Sequence, residues 1–183
     1  MTRTLTLSAG TGDCYADSTG TFDSTATEIY LVSGAGVEQR TWIPFTVNLS
    51  RNEVVISATL KLIASFTSGA IADNVVFGCE AADNPANPTT KADLFARSMS
   101  AATYTNSIGQ YVSGTTYNYD VTNAVQEIIQ RAGWVSGNTL AAFTKWTGFG
   151  PHPKRYTSNE GGANKPVLEI VVYGFLPRSG GMI

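Results

Sequence analysis

The sequence predicts an all-β protein, an antiparallel jelly-roll-like β-sandwich that carries one short α-helix. Three observations predict it. Short segments alternate apolar and polar residues with period two, clusters of Gly, Ser, Asn, Asp and Pro separate them, and only one stretch holds sustained helical spacing. Composition agrees, with 43% hydrophobic residues but only 14% charged, against roughly 25% charged in an average soluble chain. A length of 183 residues suits one domain. No linker-like stretch divides the chain, so the expected organisation is a sandwich over 1–174 and a tail over 175–183.

Taken in order, the first expected strand covers 2–8, with Leu5 and Leu7 inward. Turn-rich sequence follows, leaving room for short strands around Tyr15 and Ile29. RTWIPFTV places Trp42 and Pro44 on one face and Ile43, Phe45 and Val47 on the other, and the proline points to an edge or a bulge. In VVISATLKLIAS, Ala58, Leu60, Leu62 and Ala64 oppose Thr59, Lys61, Ile63 and Ser65, the pattern of a half-buried strand. A strand over 74–81 puts Val75, Phe77 and Cys79 on one face. DNPANPTT is then a loop, and Thr90 is placed to cap a short helical turn in KADLFARS.

The main helix is expected at about Thr122 to Arg131. Val121, Ala124, Val125 and Ile128 recur at helical spacing, Asp120 is placed to cap its start and Gly133 to close its end, and Trp134 would fold back onto it. Tyr117 and Tyr119 alternate as strand residues just before it. Strands over 139–146 and 166–173 complete the set, the latter with Leu168, Ile170 and Val172 inward.

Charge and rare residues narrow the chemistry. Twelve Lys and Arg against fourteen Asp and Glu leave a net charge of -2, which offers no footprint for nucleic acid or an anionic membrane surface. No apolar run is long enough to span a bilayer, and the opening MTRTLTLSAG alternates where a signal peptide would be continuously apolar. That start leads to the expectation of a cytoplasmic origin or an excised piece. Cys14 and Cys79 are too few for a disulfide scaffold or a zinc knuckle. Cys79 reads as a buried free thiol, with a bridge to Cys14 as the lesser alternative. His152 is the one histidine, and it lies in the proline-flanked segment GFGPHPKR, read as a mobile surface tip with nothing to hold a catalytic tautomer.

Asp13, Asp17, Asp23 and Glu28 crowd one turn-rich region. Oxygen-rich loops of this kind can hold a structural Ca²⁺, but acidic residues there more often bond their own backbone, so no cofactor or metal is expected. No pair of carboxylates is identifiable for glycoside hydrolysis, and the expectation is a protein that is not an enzyme. The aromatic side chains available for stacking on a sugar are Tyr104, Tyr111, Tyr117, Tyr119, Trp146 and Tyr156. Trp146 leads directly into TGFGPHPKR, so Trp146, Phe149, His152, Lys154, Arg155 and Tyr156 are expected as an exposed aromatic and basic contact surface. Phe175, Leu176, Met182 and Ile183, on the tail, are expected as subunit contacts, the alternative being that Phe175 and Leu176 cover the open end of the sandwich and the final residues are disordered.

The order of segments resembles the DNRLRE-type domain, a β-sandwich module of bacterial and archaeal surface proteins. The residues that carry the resemblance are GDCYADS, RTWIPFTV with VVISATLKL, CEAADNPA, YDVTNAVQEIIQRAGWVSGNTL and KRYTSNEGGANKPVLEIVVY. The resemblance implies a non-catalytic fold, some of whose relatives bind carbohydrate.

Two functions follow as expectations. The first is a structural or assembly protein, a virion decoration (capsid cement) or tail accessory of a bacteriophage, made in the host cytoplasm and placed on the virion surface. It would be a homo-oligomer, with a trimer as the guess, bound to a protein lattice. The alternative is an extracellular carbohydrate-binding module of a surface or secreted glycan-active protein.

Overall fold

The structure is a computed structural model that describes residues 2–33, 37–148 and 152–173. Twelve strands and two helices are described, in the order β1 (Thr2–Ser8), β2 (Cys14–Asp17), β3 (Phe22–Asp23), β4 (Glu28–Val32), β5 (Glu38–Thr46), β6 (Val55–Ile63), β7 (Asp73–Cys79), α1 (Lys91–Ala96), β8 (Tyr104–Ile108), β9 (Thr116–Asp120), α2 (Thr122–Ile129), β10 (Thr139–Thr147), β11 (Lys154–Thr157) and β12 (Val167–Tyr173). They form an all-β sandwich. One sheet has the order β1-β12-β6-β9, the other β3-β2-β5-β10-β7-β8, and β4 pairs with β11 as a separate ribbon.

Period-two alternation decides which side chains enter the core. Ala58, Leu60 and Leu62 of β6 and Leu168, Ile170 and Val172 of β12 are buried from the four-stranded sheet. Ile43 and Phe45 of β5, Val75, Phe77 and Cys79 of β7, and Leu140, Ala142 and Trp146 of β10 meet them from the six-stranded sheet within one cluster. The opposite face of the six-stranded sheet is apolar too. There Cys14, Ala16, Trp42, Ala141 and Phe143 form a second cluster closed by Leu94 of α1. That double coverage makes β5 and β10 buried almost throughout.

Two local expectations change in position. Pro44 lies in β5, an inner strand of its sheet. Its missing N–H is tolerated because β2 pairs with β5 only over Gln39–Trp42; beyond that ladder Pro44 keeps its pairing with β10, and its carbonyl accepts the Gly10 N–H at 2.8 Å. Helix α2 ends at Ile129, with Gln130 as its C-cap, rather than at Arg131. Gly133 does not adopt the left-handed conformation, whereas Gly137 does, at φ +96°. Gly133 leaves room for the Asp83 carboxylate: a Cβ there would stand 2.2 Å from Asp83 Oδ2 and would displace that side chain. Trp134 folds back as expected, buried and donating its Nε1–H to the Leu49 carbonyl at 2.9 Å.

Asp120 acts one position away from the expected cap. Val121 is the N-cap residue, and Asp120 Oδ1 accepts from the Thr122 backbone N–H (2.9 Å) and its hydroxyl (2.6 Å). The Thr122 hydroxyl in turn accepts the Ala58 N–H, tying the helix to β6. Thr90 caps α1 by accepting the Asp93 N–H at 3.1 Å, so the short helix forms where the threonine places it.

Strands β3, β8 and β11 had no counterpart in the sequence reading. β8 is an edge strand whose only fully buried residue is Ile108, so it carries almost no alternation to detect.

Candidate functional site

The contact surface expected around the GFGPHPKR segment is not assembled as a surface. Trp146 is only 2% exposed, because β10 continues to Thr147 and Trp146 stands between Gln39 of β5 and Val75 of β7. Lys154 begins β11 and has no solvent exposure; its Nζ donates to Asp73 Oδ2 (2.8 Å) and to the Ile71 carbonyl (2.9 Å). Tyr156, two residues on along the same face, is equally enclosed and pairs with Ile29 of β4. Lys154 and Tyr156 are enclosed because 154–157 forms a strand, and alternation turns both into the molecule together.

Arg155 points the other way and is half-buried. Its guanidinium lies over the rings of Tyr30 (4.5 Å) and Phe66 (4.7 Å) and pairs with Glu28 Oε2 at 3.1 Å. His152 is partly exposed, with its ring beside Gly69, where a Cβ would come within 2.4 Å of Nδ1. Phe149 lies outside the described residues, as do Phe175, Leu176, Met182 and Ile183 of the tail.

The tyrosines proposed for stacking are mostly structural. Tyr119 is buried and stacks on Phe77 with centroids 4.1 Å apart; Tyr111, also buried, stacks on Tyr117 at 4.3 Å. The Tyr111 and Tyr119 hydroxyls bond each other. Of the six aromatic residues named for sugar stacking, Tyr104 alone is well exposed, at 48%.

The acidic residues divide into two uses. Asp17 Oδ1 accepts from the backbone N–H groups of Thr19, Gly20 and Thr21, and Asp23 Oδ1 accepts from that of Thr25, so both build their own turns. Asp13 is different, being buried at 1% exposure, with Oδ2 accepting the Asn159 N–H at 3.0 Å. Burial first, and then its hydrogen bond to Glu160, pushes the Asp13 carboxyl up to about 8. Glu160 moves down: burial would raise it, but hydrogen bonds from Asp13, Asn159 and backbone amides outweigh that. Among the described residues Asp13 Oδ1 and Glu160 Oε2 have no other partner, and the opposite shifts leave the proton on Asp13 rather than on Glu160. Glu160 escaped the sequence reading because it lies 147 positions from Asp13, an interval no local motif spans.

The thiols are unreactive. Cys14 and Cys79 are both free and buried, each in a different core cluster on opposite faces of the sheet. Burial pushes the Cys14 thiol up to about 12 and that of Cys79 higher still, so neither is a thiolate near neutral pH.

A second network was also missed. Glu80 Oε2 accepts from Trp42 Nε1 (2.6 Å) and from Arg97 (2.9 Å), while Arg97 also binds Asp93 and lies over the Trp42 ring. The available signal was the Asp93–Arg97 spacing of four on a short helix. Its chemistry is that of a brace, since it fastens α1 across the outer face of the six-stranded sheet.

Three surface depressions are lined chiefly by small and hydroxyl-bearing residues. One contains Asp120, already bonded to Thr122; another contains Glu28, already paired with Arg155; a third, around Gly10, Pro44 and Asn87, has no carboxylate. None of these three brings two carboxylates into opposition.

What the fold does display is the outer face of the four-stranded sheet. Thr4, Thr6, Glu169, Val171, Ser57, Thr59, Lys61 and Asn118 point away from the core. Lys61 and Glu169 neutralise each other at 2.9 Å. At one end of this face, Val54, Ile56 and Tyr173 are 52%, 39% and 58% exposed. A bulge brings them out: Val55 pairs with Val172 and Ser57 with Val171, leaving Ile56 unopposed, and the Tyr173 N–H bonds the Val54 carbonyl. Comparison with protein-family models finds no match, and no curated protein matches the chain. The likeness to the DNRLRE-type domain therefore rests on the residues quoted for it.

Proposed function

We propose that the domain is a non-catalytic assembly module that packs against copies of itself and against a protein lattice, as a decoration or accessory protein of a particle such as a phage capsid or tail. The observation that carries this reading is the outer face of the four-stranded sheet. It is broad, rich in threonine, nearly free of unpaired charge, and ends in the exposed group Val54, Ile56 and Tyr173. Faces of this composition lose little on desolvation and gain from apolar burial when they meet a protein partner. The carbohydrate reading loses support, because Trp146, Tyr111, Tyr119 and Tyr156 are committed to the core.

Light scattering on the pure protein, run beside retention on insoluble polysaccharides, tests the proposal. Association beyond the monomer is expected, weakened by Val54→Asp combined with Tyr173→Ser, with no polysaccharide retained. A strict monomer that is retained on a glycan overturns it and makes the domain a carbohydrate-binding module.

A further inference from the structure

Strand β1 is an edge of its sheet, with no strand on its far side among the described residues. It pairs with β12 in unbroken register over seven residues, from Thr2↔Tyr173 to Ser8↔Val167. It contains no proline and no bulge, and its one charge, on Arg3, is held by Glu53. Prolines and bulges are devices that proteins use to block edge-to-edge pairing; β1 has neither, and its single charge is paired within the chain.

The direction of its free backbone groups can be read from the ladder. Continuing the register places Ala9 opposite Pro166, and the Ala9 N–H bonds the Pro166 carbonyl at 2.9 Å. Hydrogen-bonded and non-bonded positions alternate along an antiparallel pair, so Arg3, Leu5 and Leu7 direct their N–H and C=O groups toward β12. Those of Thr2, Thr4, Thr6 and Ser8 therefore point outward from the edge. The Tyr173 N–H, which bonds Val54 on the other side, agrees with that phase.

We infer that β1 is a self-pairing edge: two copies of the chain join β1 to β1 antiparallel about a two-fold axis at Leu5, fusing their four-stranded sheets into one of eight. This deepens the assembly reading and rests on it. Self-pairing in this register sets Thr4 against the partner's Thr6 and Thr2 against the partner's Ser8, each pair exchanging two hydrogen bonds between groups that face outward in the single chain. Leu5 meets the partner's Leu5 on the core side. Leu5 and Leu7 are only half-buried in the single chain, and the partner strand would cover them. Parity is preserved across the seam, threonines on the outer face and leucines beneath, which a one-residue slip would destroy. No like charges meet, since Arg3 falls opposite the partner's Leu7. A second copy fits this edge because the strand is its own complement in polarity and face and sets no like charges opposite each other. An antiparallel seam closes as a dimer, and it joins the two outer faces into one continuous surface.

The test is a charge swap read by sedimentation equilibrium and amide exchange. The wild type is expected at twice the 19.4 kDa of the chain, with slowed exchange at Thr4 and Thr6. Thr4→Lys with Thr6→Lys, and separately Thr4→Glu with Thr6→Glu, are each expected as monomers with unchanged Tm, because both side chains lie on the exposed outer face. Mixing the two variants is expected to restore the dimer. Thr6→Pro, which removes only an outward N–H, is expected to give a monomer as well. If the wild type and both charge variants associate alike while the Thr4 and Thr6 amides exchange freely, this edge is not the seam, although the assembly reading survives. If the wild type is monomeric with protected Thr4 and Thr6 amides, another part of its own chain covers the edge and self-pairing is overturned. A wild-type monomer with unprotected amides overturns self-pairing too, and the glycan-retention experiment then decides the assembly reading separately.

Discussion

The Lys154–Asp73 ion pair joins the start of β11 to the start of β7, with both side chains out of solvent and 81 residues apart in the chain. Breaking a buried pair from one side strands the remaining charge, at a cost of about 3–5 kcal/mol. Lys154→Ala is therefore expected to lower the denaturation midpoint sharply, whereas Lys154→Met with Asp73→Leu should recover most of the loss, since it removes both charges. Urea titration checks this, and equal losses in the two variants would show that the packing of Lys154, rather than its charge, matters. The Asp13 carboxyl has a pH signature of its own. It titrates near 8 when folded against an ordinary 3.8, so between those values the folded chain holds a proton that the unfolded chain has released. Stability from this group is full below about 4 and falls as the pH rises toward 8. Glu160, shifted down, contributes in the opposite sense, losing its share as the pH falls through its folded value. Asp13→Asn keeps a donor toward Glu160 at every pH. Its melting temperature is expected to vary less between pH 5 and 9 than that of the wild type, and parallel curves would mean that Asp13 does not hold the proton.

At the scale of elements, α2 is held by its flanks more than by its own length of eight residues. Ala124, Val125, Ile128 and Ile129 bury its apolar stripe, Glu127 accepts the N–H groups of Ala101 and Ala102, and Gln126 accepts that of Val55. Asp120→Ala removes one acceptor from the helix start and frees the Thr122 hydroxyl, an expected loss of about 1 kcal/mol. Thermal unfolding measures it; an unchanged Tm would mean that the Thr122 bond to Ala58 suffices alone. β11 shows how an element can be hidden in sequence. KRYT has two cations in four residues, which argues for solvent, yet two of its side chains are fully enclosed.

Over the whole molecule, two apolar faces of one six-stranded sheet are covered by different means. The four-stranded sheet and α2 cover one, and α1 with the Glu80–Arg97–Trp42 brace covers the other. Among the described residues, nothing covers the outer face of the four-stranded sheet or its edge β1. Covering that sheet is what the proposed assembly would achieve.

Local periodicity was enough to read most of this architecture. Ala58, Leu60 and Leu62, Val75 and Phe77, and Leu168, Ile170 and Val172 each lie on the face that alternation assigns, because a strand has only two faces and the core takes the apolar one. The helix and the Thr90 cap were legible for a similar reason, since spacing and capping act within a few residues. The candidate site was not legible. Whether Lys154 is exposed depends on an acceptor 81 residues away, and whether Trp146 ends a strand or stands inside a sheet depends on neighbours at Gln39 and Val75. Burial of a charge is decided by its partner, and partners across a sandwich are brought together only by the pairing of distant strands.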